Sequence, residues 1–151
     1  MTRTEFINKC NSILKLIRTE YGLTQDEMAV ILGISKKTLV ESEKGRRSIG
    51  WTETAALITI FSGSNVIQNE FGGEASDMVR ALAFKDIKVD YPMTMGGKIW
   101  WKNVQETEGF VVQQNIISQH YRILDSEDRR LFSSFDKNEV TEYLKGLRKV
   151  R

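Results

Sequence analysis

Between Ser35 and Ser48 the chain sets five cations, Lys36, Lys37, Lys44, Arg46 and Arg47, against two carboxylates, Glu41 and Glu43. Long cationic side chains donate to phosphate oxygens; a lysine also reaches guanine O6 and N7, and a glutamate accepts from cytosine N4. Taken by charge alone, a solvated helix face and a phosphate footprint describe the cluster equally well. The net charge of +2 is too mild to point to nucleic acid by itself. Other chemistries have less to work with. His120 is the one histidine and Cys10 the one cysteine, which leaves no zinc constellation, no Cys–His nucleophile pair and no intrachain disulfide. Cys10 falls in a helical apolar set with Phe6, Ile13, Leu14 and Ile17, and reads as a small buried hydrophobe. Asp125, Glu127 and Asp128 lie beside Arg129 and Arg130 without a glycine-bearing calcium loop, the composition of a solvated hairpin turn. Gly72-Gly73 and Gly96-Gly97 lack the spacing of phosphate-binding loops. Trp100, Trp101, Lys102, Tyr121 and Arg122 are types that stack on bases. At strand spacing, however, Trp100 and Trp101 point to opposite faces, one toward a core and the other toward an interface.

The elements that would position the basic cluster lie between Leu23 and Gly45. Thr24 with Glu27 three residues on forms a capping box. Met28, Ile31 and Leu32 follow at helical spacing, and Ala29 is small enough for a second helix to cross close above it. Gly33 breaks the run where the chain must turn sharply. Ile34 is expected to anchor in the core, and Ser35 is a good N-cap for a helix from Lys36 to Glu43. That helix turns Leu39 inward and leaves Lys36, Lys37, Val40, Glu41 and Lys44 outward. Two short helices joined at a glycine, the second carrying exposed polar side chains, describe a helix-turn-helix, whose second helix fits the DNA major groove.

The same residues resemble the Cro and phage-repressor type, or XRE family, of helix-turn-helix regulators. The matching words are Leu-Ile-Arg-x-x-x-Gly-Leu-Thr-Gln from Leu16 to Gln25, Glu-Met-Ala-x-x-Leu-Gly-Ile-Ser from Glu27 to Ser35, then Thr38-Leu39 and Glu43-x-Gly45. They are specific as a set and cover roughly the first 70 residues, under half of the chain. The resemblance implies base contacts from Lys36, Lys37 and Glu41. It implies backbone contacts from Gln25, Lys44, Arg46 and Arg47, and an ion pair of Arg18 with Glu43 that fixes the reading angle. The chain departs from the family at Ser42, where a large apolar residue is usual. Either the helix seats less firmly, or a neighbour such as Trp51 fills the space. Some phage-type repressors carry a self-cleaving C-terminal domain, which would need an Ala-Gly or Cys-Gly bond. No such pair occurs in this sequence, so an enzyme is not expected.

Along the chain, Thr4 to Tyr21 reads as a first helix ending at Gly22. Arg46 to Gly50 forms a loop able to follow a phosphate strand. Trp51 to Phe61 is a mostly buried fourth helix, capped by Thr52 or Thr54, whose N-terminal amides could hold a phosphate. Asn65 to Phe71 is a short fifth helix. Ala75 to Phe84 is expected to connect the two halves, and Lys85 to Gly97, with the only proline, Pro92, is the linker. From Lys98 the period changes toward two. Strands are expected over Ile99 to Val104, Phe110 to Asn115, His120 to Asp125 and Arg129 to Phe135, the last with Leu131, Ser133 and Phe135 on one face. Asp136 caps a final helix with Glu139 as its capping-box partner, and Val140, Tyr143, Leu144 and Leu147 form its apolar stripe.

These readings give an α+β chain: a five-helix bundle with a helix-turn-helix over 1–73, a connecting helix and linker over 74–97, and a small antiparallel sheet with one terminal helix over 98–151. No apolar run approaches the ~20 residues needed to span a bilayer, and no signal peptide opens the sequence, so the cytoplasm is expected. The expected function is that of a sequence-specific transcriptional regulator, a repressor on a palindromic operator in double-stranded DNA. It would act as a homodimer through the C-terminal half, where Trp100 and Trp101 are the dimerisation candidates, and without cofactor or metal. An antitoxin-like protein-interaction module, or a C-terminal half that takes a protein partner or a small effector, is the alternative.

Overall fold

The computed structural model describes residues 1–90, 92–93 and 100–150. The chain is α+β and divides into two compact units, Met1–Val89 and Asp90–Arg151. In the first, six helices follow one another: α1 (Arg3–Glu20), α2 (Gln25–Leu32), α3 (Lys36–Glu43), α4 (Trp51–Ile60), α5 (Asn65–Phe71) and α6 (Ala75–Ala83). In the second, β1 (Trp101–Thr107), β2 (Phe110–Asn115), β3 (Tyr121–Asp125) and β4 (Arg130–Ser134) form one antiparallel sheet in sequential order, followed by α7 (Lys137–Val150).

The first unit folds around α1. Its apolar set Phe6, Cys10, Ile13, Leu14 and Ile17 is buried as one stripe, and Met28, Ala29, Leu32, Leu39, Ile49, Leu57, Ile58, Phe61 and Ile67 close over it. Thr2 caps α1 through a capping box with Glu5, so the helix starts one residue earlier than its periodicity predicts. The expected box of Thr24 and Glu27 caps α2, and Ser35 caps α3. Between them Gly33 adopts φ 68°, a conformation that carries almost no steric penalty only in glycine.

Four expectations for this unit are corrected. Ile31 and Ile60 are exposed rather than core, because the stripes of α2 and α4 are filled by Met28, Ala29 and Leu32 and by Thr54, Leu57 and Ile58. Neither Thr52 nor Thr54 caps α4. Its N-cap is Gly50, with no side-chain bond, and the buried Thr54 hydroxyl instead donates back to the Gly50 carbonyl at 2.8 Å. Ile34 is packed on the core but only half-buried. The helix expected to connect the halves, α6, belongs to the first unit. Ala75 is buried, and Met78, Val79 and Leu82 pack on the same core, as an amphipathic helix beside an unfinished apolar surface must.

Ser42, the departure from the family pattern, is 1% exposed, and its hydroxyl has no hydrogen-bond partner among the described residues. The Trp51 ring meets Phe6 edge-on at 6.5 Å and lies under the Arg3 guanidinium. A buried hydroxyl without a partner is a net cost, and alanine is also the better helix former. Ser42→Ala is therefore expected to raise stability by about 1 kcal/mol, read as a higher denaturant midpoint at unchanged slope.

In the second unit Phe110, Val112 and Ile123 on the sheet and Val140 and Leu144 on α7 make a separate small core, with Tyr121, Leu131, Phe132 and Leu147 packed against it. Gly109, at φ 82°, turns β1 into β2. Strand β1 begins at Trp101; Ile99, the expected start, Gly96-Gly97 and the boundary at Lys98 lie outside the described residues. Leu131 does not share a face with Ser133 and Phe135, because the pairing of β3 with β4 slips between Ile123 and Leu124 and Leu131 turns to the core. Glu139 does not cap Asp136 directly. It accepts from the Ser134 hydroxyl, which in turn accepts from the Asp136 amide at 3.0 Å.

Candidate nucleic-acid interface

Helix α3 carries the basic cluster, and a bonded network fixes its place on α1 and α2. Arg18 on α1 donates from Nε to Glu43 Oε1 at 2.5 Å and from Nη2 to Oε2 at 3.2 Å, and from Nη1 to the Leu23 carbonyl at 3.0 Å. Gln25, the first residue of α2, donates to Glu43 Oε2 at 3.0 Å. Burial alone would push the Glu43 carboxyl up, but the hydrogen bonds from Arg18 and Gln25 and the arginine charge outweigh it and hold the carboxyl below its ordinary value. The Arg18 and Glu43 side chains keep only 15% and 4% of their exposure, so this is a dry, bidentate pair rather than a surface contact.

A second brace was not anticipated from the sequence. Asn11 on α1 donates to the Ser42 carbonyl at 3.0 Å and accepts from the Ile49 amide at 3.0 Å, holding both ends of the loop that bears Arg46 and Arg47. The one signal was an asparagine, a poor helix former, at the edge of an apolar stripe. Gly45 at φ 71° lets the Arg46 and Arg47 amides turn back to the Glu41 carbonyl at 2.9 and 3.3 Å.

The predicted contact residues are now placed. Lys36, Lys37, Lys44, Arg46 and Arg47 are exposed, and Glu41 is half-buried. Lys36 reaches Asp26 at 2.8 Å in a solvent-exposed pair, and Arg46 reaches the half-buried Glu41 only at 3.8 Å, so each contributes little and opens readily. Among the described residues Lys37, Lys44 and Arg47 have no ion-pair partner, so their charge is available to an anion at no cost in broken bonds. Gln25, an expected backbone contact, has its side-chain amide bonded to Glu43. The Glu53 carboxylate lies against Gly50 at the start of α4, where a phosphate would have to compete with it.

The two tryptophans part company. Trp100 is 43% exposed, whereas Trp101 is half-buried with the Arg122 guanidinium 3.8 Å over its ring and His120 edge-on at 4.8 Å. Trp101 is thus already covered within its own unit. The Asp125 carboxylate accepts from the Glu127 and Arg129 amides and from Arg129 Nε, all at 2.8–2.9 Å, and so closes a hairpin turn. Burial, with a smaller contribution from Glu70, pushes the Cys10 thiol up to about 12, which keeps it protonated and unreactive. Among the described residues no helix is long and apolar enough to cross a membrane. No protein-family model, no curated protein and no solved structure matches this chain.

Proposed function

We propose that the protein is a sequence-specific DNA-binding transcriptional regulator of the XRE type, with α2 and α3 as its helix-turn-helix. The observation that carries this reading is the combination at α3. Its inner side is locked to α1 and α2 through Glu43, while its outer side presents Lys37 and Lys44, without acidic partners among the described residues. A rigid helix with free cations along one side suits insertion into a major groove. Lys36, Lys37 and Glu41 read bases. Lys44, Arg46 and Arg47, with Gln25 at the N-terminus of α2, position the protein on phosphates. The protein acts as a repressor, binding a palindrome as a dimer in the cytoplasm.

Selection of bound DNA from random sequence with the purified protein tests this directly and returns both the site and its symmetry. Against the selected site, Lys37→Ala or Glu41→Ala should change which bases are preferred, at ~1–3 kcal/mol per lost base contact. Unaltered preference in both variants would remove α3 from base reading.

One observation favours a second reading. Val30 and Ile31 are 81% and 39% exposed on α2 and, with Leu23, Asp26 and Glu27, line an open apolar depression. A patch of that kind suits a protein partner, as in an antitoxin-like module. Failure to enrich any sequence in the selection would favour it.

A further inference from the structure

The sheet face turned away from α7 has a composition that folding alone does not explain. Residues directly opposite one another in the register share a face. One row holds Trp101 and Asn115, with His120 joined through the Asn115 amide. The next holds Asn103, Gln113, Arg122 and Ser133, and the third Glu106, Val111, Leu124 and Arg130. His120 also meets Phe135, at 5.6 Å between centroids, and Phe135 is 79% exposed.

Arg122 is held in place but not neutralised. Its Nε and Nη2 donate to Gln113 Oε1 at 2.9 and 2.7 Å, and its plane lies 3.8 Å over Trp101. Gln113 in turn donates to Asn103, and Asn103 to Glu106. Arg130 approaches the same indole at 5.9 Å. Among the described residues neither guanidinium has a carboxylate within ion-pair distance, Arg122 Nη1 has no acceptor, and Arg130 donates no side-chain hydrogen bond. Burial first, then the charge of Arg130, lowers the Arg122 pKa, while Asp128 opposes this from a distance. A half-buried guanidinium facing a like charge, with a neutral amide and an indole face as its partners, keeps its full charge, which an anion would neutralise.

We infer that this face binds a mononucleotide, with its phosphate between Arg122 and Arg130 and its base on the His120–Phe135 edge. The guanidinium fork matches phosphate oxygens bidentately, and an exposed phenyl ring supplies a stacking surface. Arg122 lies two residues on from His120, which immediately precedes β3, roughly 7 Å for extended chain and the reach from a nucleotide's phosphate to its base. Ser133, opposite Arg122 on β4, lies between as a polar group for the ribose. Two cations and one carboxylate are too few to follow a polyphosphate backbone, which favours a single nucleotide over a strand. This inference is independent of DNA binding by α3.

Calorimetric titration of the full chain with adenosine monophosphate, inorganic phosphate and adenosine tests it. The monophosphate should bind, and by at least about tenfold more tightly than either part alone. Arg130→Gln, at an exposed residue whose side chain has no bonded partner among the described residues, should weaken binding by about tenfold with the fold intact by circular dichroism. Arg122→Lys keeps the charge but loses the fork, and should weaken it by as much. Phe135→Ala should reduce monophosphate binding while leaving that of phosphate unchanged. Absence of monophosphate binding, equal affinity for phosphate and monophosphate, or affinity unchanged in Arg130→Gln would each overturn the assignment. So would an oligonucleotide that binds where the mononucleotides do not.

Discussion

Glu43→Ala is expected to cost the N-terminal unit about 3 kcal/mol of folding stability, the low end of the range for breaking a buried ion pair. The low end applies because the Arg18 side chain keeps 15% exposure and recovers some hydration when its partner leaves. What remains is still large. Arg18 loses both of its carboxylate bonds and Gln25 loses its acceptor, so three helices lose their common tie. The effect depends on pH in a defined direction. The folded Glu43 carboxyl titrates below its ordinary value of 4.5. Its contribution is therefore complete above that value and is lost as pH falls through the lower, folded one. The stability gap between the unaltered chain and Glu43→Gln, measured by urea denaturation, should be widest at neutral pH and narrow in acid. A gap independent of pH would mean that the charge of Glu43 contributes nothing.

A chain ending at Val89 is expected to stay folded, to be monomeric, and to bind a palindromic operator roughly 10²–10⁴-fold more weakly than the full chain. Folding follows from the separate core of the first unit, which among the described residues draws on none beyond Leu82. The loss of affinity follows from the second unit. Its sheet leaves β1 and β4 as outer strands, unpaired on their far sides among the described residues, and open edges pair readily with copies of themselves. Beside the start of β1, the Trp100 carbonyl accepts from the Ile116 amide, and Trp100, Ile116 and Ile117 are 43%, 44% and 73% exposed. Self-association is expected there, at Trp100 rather than at Trp101. Light scattering on both chains, with circular dichroism as the control for folding, decides it. A truncated chain that is still dimeric would sink the idea.

The second unit leaves less apolar surface over for such a dimer than its composition implies. Phe110 and Val112 are buried, and Tyr121, Leu131 and Phe132 are packed on their own core, with Phe132 stacked 4.3 Å from Tyr143. A count of apolar residues cannot register that one amphipathic helix covers so much of a short sheet. It also misses arginine, whose plane lies over Trp101.

What the sequence determined by itself is local. Capping pairs, glycines and a 3.6-residue period placed α2, α3 and the whole buried stripe of α1, because each depends on residues within a turn or two of one another. The switch to a two-residue period likewise announced the strands. Tertiary structure decided what depends on partners distant in the chain. Asn11 braces a loop whose ends lie 31 and 38 residues on. Helix α6 joins the first core because that core has an apolar side left to cover. A one-residue slip between β3 and β4 sends Leu131 inward and leaves Ser133 and Phe135 on the other face. Register then gathers Trp101, Arg122 and Arg130 from three strands onto one face, a juxtaposition that no spacing along the chain encodes, since pairing across a sheet is fixed by packing and by bulges.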